Sequence, residues 1–161
     1  MPKGYSRSQI VLHWLTVVLV AWQFIGNDAI SAAWRSLRQG GSPAFDPLVA
    51  GHVAGGIAVL VLALWRIGLQ RRRGAPAPAE GGPAILRPLS KLAHAGLYLA
   101  MIALAVTGGM AWFGGISVAA EAHEVLKAVL LALIGLHVAG ALWHQFVLRD
   151  GLMRRMARPA D

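Results

Sequence analysis

Val125 to Leu148 reads VLKAVLLALIGLHVAGALWHQFVL, apolar almost throughout and broken only by Lys127, His137, His144 and Gln145 among its polar side chains. As a helix rising 1.5 Å per residue it is about 36 Å long, enough to cross a hydrocarbon core of about 30 Å. Three more such stretches precede it, at about Ile10 to Gly26, Leu48 to Leu69 and Leu92 to Phe113. Of the 161 residues, 57% are apolar and 14% charged, with a mean hydropathy of +0.57. A soluble domain carries about 25% charge. The chain therefore reads as all-α: an integral-membrane four-helix bundle forming a single domain over residues 1–161, with spans at about 10–26, 48–69, 92–113 and 125–148.

The net charge of +8 follows topology. Twelve of the fifteen Lys and Arg fall in three segments. The N-terminus holds Lys3 and Arg7, and the C-terminus holds Arg149, Arg154, Arg155 and Arg158. The second connection holds Arg66, Arg71, Arg72, Arg73, Arg87 and Lys91. The first and third connections carry Arg35, Arg38 and Lys127 beside the acids Asp28, Asp46, Glu121 and Glu124. Positive charge stays inside, so both termini are expected in the cytoplasm. The basic surplus then has membrane lipid as its partner, and no nucleic acid.

The first span is expected to be an anchor helix and not a cleaved signal, because it is long for a signal core and contains His13 and Gln23. Asn27 to Pro47 reads as a polar loop, and Gln70 to Pro88 as a cytoplasmic linker with the repeat Ala75-Pro76-Ala77-Pro78. The third connection, around Gly114-Gly115, is short, which makes the third and fourth helices antiparallel neighbours. Trp34 and Trp112 fall near the outer interface, and Trp14, Trp65 and Trp143 near the inner one.

Cysteine is absent, which excludes thiolate-held haem, the usual iron–sulfur clusters and covalent haem attachment. The metal chemistry falls to six histidines, all in or at the ends of the spans. His123 and His137 are fourteen residues apart, about 21 Å along a helix and within about 40° of the same face. That spacing suits two haems stacked across one bilayer. Each iron needs a second imidazole at the same depth, which pairs His52 with His123 toward the outside and His13 with His137 toward the cytoplasm. Gly55 and Gly56 after His52, and Gly140 and Ala141 after His137, leave bare helix faces beside the ligands.

His94 and His144 lie near the cytoplasmic ends of the last two spans. Three functional roles and one structural role stay open for them: a proton path to a quinone site, a propionate hydrogen bond, a substitute for His137, or residence in the headgroup zone. Arg66 either snorkels to the interface or neutralises a haem propionate, for which Arg7 is a second candidate. No side chain is assigned as catalytic.

The run Tyr5-Ser6-Arg7-Ser8-Gln9-Ile10-Val11-Leu12-His13-Trp14, His52 to Ile57, Ala122-His123-Glu124 and Gly135-Leu136-His137 through His144 together resemble the bacterial cytochrome b-561 family. Related proteins are the b-type cytochrome subunits of nickel–iron hydrogenases and formate dehydrogenases. The resemblance covers essentially the whole chain. It implies two b-type haems ligated by His13, His52, His123 and His137, and electron exchange with quinone in a multi-pass protein of the bacterial cytoplasmic membrane. It also implies a quinone-linked oxidoreductase, with superoxide oxidation as one family activity. Bis-histidine ligation saturates the iron and leaves outer-sphere electron transfer as the chemistry. The protein would act alone, as a homodimer or with a redox partner protein. Two alternatives stand beside this: a haem-bearing anchor subunit of a separate dehydrogenase or hydrogenase, and a transporter whose histidines bind a bare metal ion or protons.

Overall fold

A computed structural model describes residues 4–74, 76, 83 and 85–160. Lys3 and most of the Ala-Pro repeat lie outside the described residues. Four helices are long and apolar enough to cross a membrane. Several of their ends have a local reason. Helix α1, Arg7–Ile25, starts in a capping box: the Gln9 N–H donates to Ser6 Oγ at 3.3 Å and the Ser6 N–H donates to Gln9 Oε1 at 2.9 Å. It stops at Gly26, and the chain turns directly into α2, Asn27–Arg38.

Helix α2 occupies part of the segment expected to be a polar loop. Its apolar residues Ile30, Ala33, Trp34 and Leu37 recur at helical spacing, and Ala33 is buried. Packing of that face against the bundle outweighs the polar residues between.

Helix α3, Pro47–Arg73, is capped by Asp46, which accepts from the Leu48 N–H at 2.7 Å, with proline at the first helical position. Helix α4, Leu86–Gly114, ends at Gly115 in the left-handed conformation, φ 65°, with its N–H on the Ala111 carbonyl at 2.9 Å. Only Gly115 and Ile116 separate it from α5, Ser117–Trp143. The last apolar residues, His144–Leu148, form a π-helical turn that ends in left-handed Arg149. A short helix α6, Leu152–Arg155, follows.

The helices extend past the expected spans because the apolar runs continue into polar ends. His94, expected at the start of the third span, sits two turns inside α4, and His123 and His137 share α5 as their spacing implied.

The main packing seams are α4 on α5, α1 on α3 and α3 on α4. The core is small: Val20, Val59, Ala63, Ala100, Met101 and Leu130, with Ala63 fully buried. Around it, large apolar side chains such as Val18, Leu92, Leu99, Val118 and Leu131 face outward. In water they would be an aggregation surface; in lipid they are the solvated one. Gly51 and Gly55 on α3 make room for the Trp22 and Gln23 side chains of α1, which pack directly onto the bare helix face. Gly55 thus serves helix packing and not the clearance expected of it. Gly56 and Gly140 do face open space.

Both chain ends meet at one end of the bundle. The Ala160 N–H donates to the Tyr5 carbonyl at 3.1 Å, Trp14 Nε1 donates to the Met156 carbonyl at 3.0 Å, and Gln9 Nε2 donates to the Gly74 carbonyl at 3.2 Å. This is the terminal end; α2 and the α4–α5 turn mark the opposite, loop end.

Candidate haem sites between helices

The bundle leaves α1 and α3 facing α5 through histidines at two depths. At the loop end, His52 of α3 and His123 of α5 have ring centroids 6.4 Å apart. At the terminal end, His13 of α1 and His137 of α5 also have ring centroids 6.4 Å apart. Two imidazoles bound trans to one metal, with nitrogen–metal distances of about 2.0–2.1 Å, hold their centroids roughly 6.3 Å apart. Both pairs match that separation. No ring pair at bonding distance for a direct hydrogen bond would have that separation.

The ring nitrogens are prepared unevenly. His123 Nδ1 lies 3.0 Å from the Leu104 carbonyl and 3.3 Å from Thr107 Oγ1, so Nδ1 carries the proton and Nε2 keeps its lone pair. Gly108 permits this approach, since a Cβ there would stand 3.1 Å from His123 Cε1. His52 meets Gln23. With its amide nitrogen toward His52, Gln23 donates to the backbone carbonyl at 2.9 Å and to Nδ1 at 3.2 Å, and its oxygen accepts from the Gly56 N–H at 3.3 Å.

An open cleft lies between His52 and His123, lined by Gly56, Leu104, Gly108, Trp112 and Leu130 among others. Trp34 and Trp112, expected at the interface, line this cleft too. An apolar slot between two imidazoles, with glycine on both facing helices, suits a flat macrocycle.

At the terminal end a third imidazole joins the pair. His94 stands 5.0 Å from His137, ring edge to face at 85°. Its Nδ1 donates to the Ser90 carbonyl at 2.7 Å, one turn back on its own helix. At 5.0 Å the two rings are too close to share an iron in trans, so His94 is a neighbour of the site and His13 the better geometric partner for His137. Arg66 donates from Nη2 to His13 Nδ1 at 3.1 Å and lies 5.5 Å from the Tyr98 ring centroid. Tyr5, just before α1, completes this cluster, and burial raises its hydroxyl above the ordinary 10.0 against the opposing pull of Arg155. Tyr5 entered the sequence reading only as part of its opening motif, and Tyr98 not at all.

His144 is not brought to either pair. The π-helical turn carries it toward the chain end, where its Nδ1 meets Asp150 Oδ2 at 2.5 Å. Arg7 stands at the first position of α1, six residues before His13. Among the described residues, no three His, Asp, Glu or Cys side chains converge as a bare metal ion requires.

The family model described as prokaryotic cytochrome b561 matches residues 4–159. A cytochrome b562 of Cereibacter sphaeroides is 37% identical over 157 residues, covering 97% of this chain and 96% of its own length. A probable superoxide oxidase CybB of Yersinia pestis is 34% identical over 180 aligned positions, covering 97% of each chain. A cytochrome b561 homolog of Escherichia coli is 27% identical, covering 94% of this chain and 96% of its own.

Proposed function

The chain belongs to the prokaryotic cytochrome b561 family, a multi-pass b-type cytochrome of the bacterial inner membrane, and from that premise we propose that it holds two haems b and relays electrons across the bilayer to or from quinone. The observation that carries this reading is the equal 6.4 Å separation of the two histidine pairs. His52 and His123 hold the outer haem; His13 and His137 hold the inner one. Both termini lie in the cytoplasm, because Arg71, Arg72, Arg73, Arg154 and Arg155 gather at the terminal end.

When bound, haem b supplies a one-electron couple whose iron is closed to further ligands by two imidazoles. The chain's own residues do the rest. Leu104 orients His123 through Nδ1, and Gln23 holds His52 through its backbone carbonyl and ring. Arg66, whose guanidinium lies beside His13, would meet a carboxylate such as a propionate of that haem. Arg7 is the second candidate for that role. His94, beside His137 and two turns into α4, is placed to pass a proton between the cytoplasm and a quinone near the inner haem. His144 with Asp150 is the second candidate for that path.

Superoxide as electron donor is favoured by one observation, the name carried by the Yersinia pestis relative. On this reading the protein is a quinone-linked oxidoreductase.

A reduced-minus-oxidised visible spectrum of the purified protein tests the proposal. Sharp b-type bands that are re-oxidised by a quinone analogue are expected. A spectrum without haem bands, or bands inert to quinone, would refute it.

A further inference from the structure

The cleft between His52 and His123 has one cation in its lining among the described residues, and no role follows for it from the ligand geometry. Lys127 lies one helical turn beyond His123 on α5, so the two side chains share a face. Its ammonium donates to Asn27 Oδ1 at 2.7 Å and pairs with Glu124 Oε2 at 2.7 Å. An ammonium has three N–H donors, so a further acceptor can join these two.

A charged side chain on a membrane-spanning helix is a functional feature by default. Asn27 explains where the ammonium is held but not why a cation is needed, since a neutral donor would serve an amide oxygen as well. Glu124 balances the charge weakly. Its side chain is 60% exposed, whereas that of Lys127 is 26% exposed. An exposed pair of this kind holds loosely, so the carboxylate can yield its place.

The group that this cleft receives on the diheme reading brings its own carboxylates. At the terminal end Arg66 stands beside His13 to meet them. At the loop end, Arg35 and Arg38 fall in the last turn of α2, outside the cleft lining. Lys127 is inside it. We propose that Lys127, positioned by Asn27, binds a carboxylate in this cleft, a propionate of the haem held by His52 and His123. The proposal rests on the diheme reading. A bound cation favours the reduced haem, because reduction adds negative charge beside it.

The test is a redox titration of the purified holoprotein, with haem per chain measured on the same samples, for wild type, Lys127→Met, Lys127→Arg, Glu124→Gln and Asn27→Leu. A wild type with one haem refutes the diheme reading itself. With two haems present, Lys127→Met is expected to shift one couple about tenfold toward the oxidised form, about 59 mV for a one-electron couple, and to leave the other in place. Lys127→Arg should restore that couple, and Glu124→Gln should move it the opposite way. If Lys127→Met loses a haem altogether, Asn27→Leu decides: it keeps the charge, releases its hold, and should shift the same couple by less. Unchanged couples, or equal shifts of both, overturn the proposal. A wild-type couple that follows the concentration of added acetate also overturns it, because the carboxylate would then come from solution.

Discussion

His123 donates its Nδ1–H to the Leu104 carbonyl at 3.0 Å, so α4 sets the proton position of an imidazole that belongs to α5. The contact exists because residue 108 is glycine. A Cβ there would meet His123 Cε1 at 3.1 Å and Nδ1 at 3.2 Å. Gly108→Ala should push the ring away from Leu104 and lower haem content from two toward one per chain. Gly68→Ala, with open space around it, serves as control and should keep both. Equal haem in the two variants would mean that the Leu104 bond does not orient a ligand.

The two ring pairs give a substitution pattern that depth alone dictates. His52→Ala and His123→Ala should each lose the same haem, and His13→Ala and His137→Ala the other, as read from the spectrum of the haem that remains. His144→Ala should retain both, since its side chain is turned to Asp150. Loss of a haem from His144→Ala as complete as from His137→Ala would move the ligand assignment on α5 by two turns.

Much of this was legible beforehand, because bilayer thickness imposes long apolar runs and a fourteen-residue histidine spacing survives any detail of packing. What escaped has physical causes. Helix α2 was hidden by Asn27, Asp28, Arg35 and Arg38, although Ile30, Ala33, Trp34 and Leu37 already carried the helical period. Gly55 and Gly56 are adjacent letters that point to different neighbours: one meets Gln23, the other opens to the cleft. Gln23 as a partner of His52 needed the α1–α3 register, which no single segment encodes. The fate of His144 depended on a π-helical turn, set by the helix end and not by local propensity.

His94 stands beside His137 without being at ligand distance, and the proposed quinone step gives it work. His94→Ala should keep both haems and their spectra while slowing quinone reduction several-fold in a stopped-flow assay. Unchanged turnover would leave His94 as a packing residue and shift the quinone niche elsewhere.

Asp150 ties the end of the chain. Desolvation works to raise its pKa, but the His144 hydrogen bond, the Leu152 N–H at 3.0 Å and Arg155 together hold the carboxyl below its ordinary 3.8. A depressed folded-state pKa contributes stability that is present above 3.8 and lost as pH falls through the folded value. Asp150→Asn should therefore cost about 1 kcal/mol at neutral pH. For a chain of this size that lowers the thermal midpoint by about 2–4 °C. The difference between variant and wild type should vanish on acidification below that range. A gap that persists in acid would show that the carboxylate charge is not what stabilises this end.

Haem stoichiometry distinguishes two occupied histidine pairs from one. A pyridine haemochrome assay on the purified chain, set against amino-acid analysis, should return two haems b per chain. A ratio near one would contradict the two-site account and leave one of the 6.4 Å histidine pairs as a structural contact.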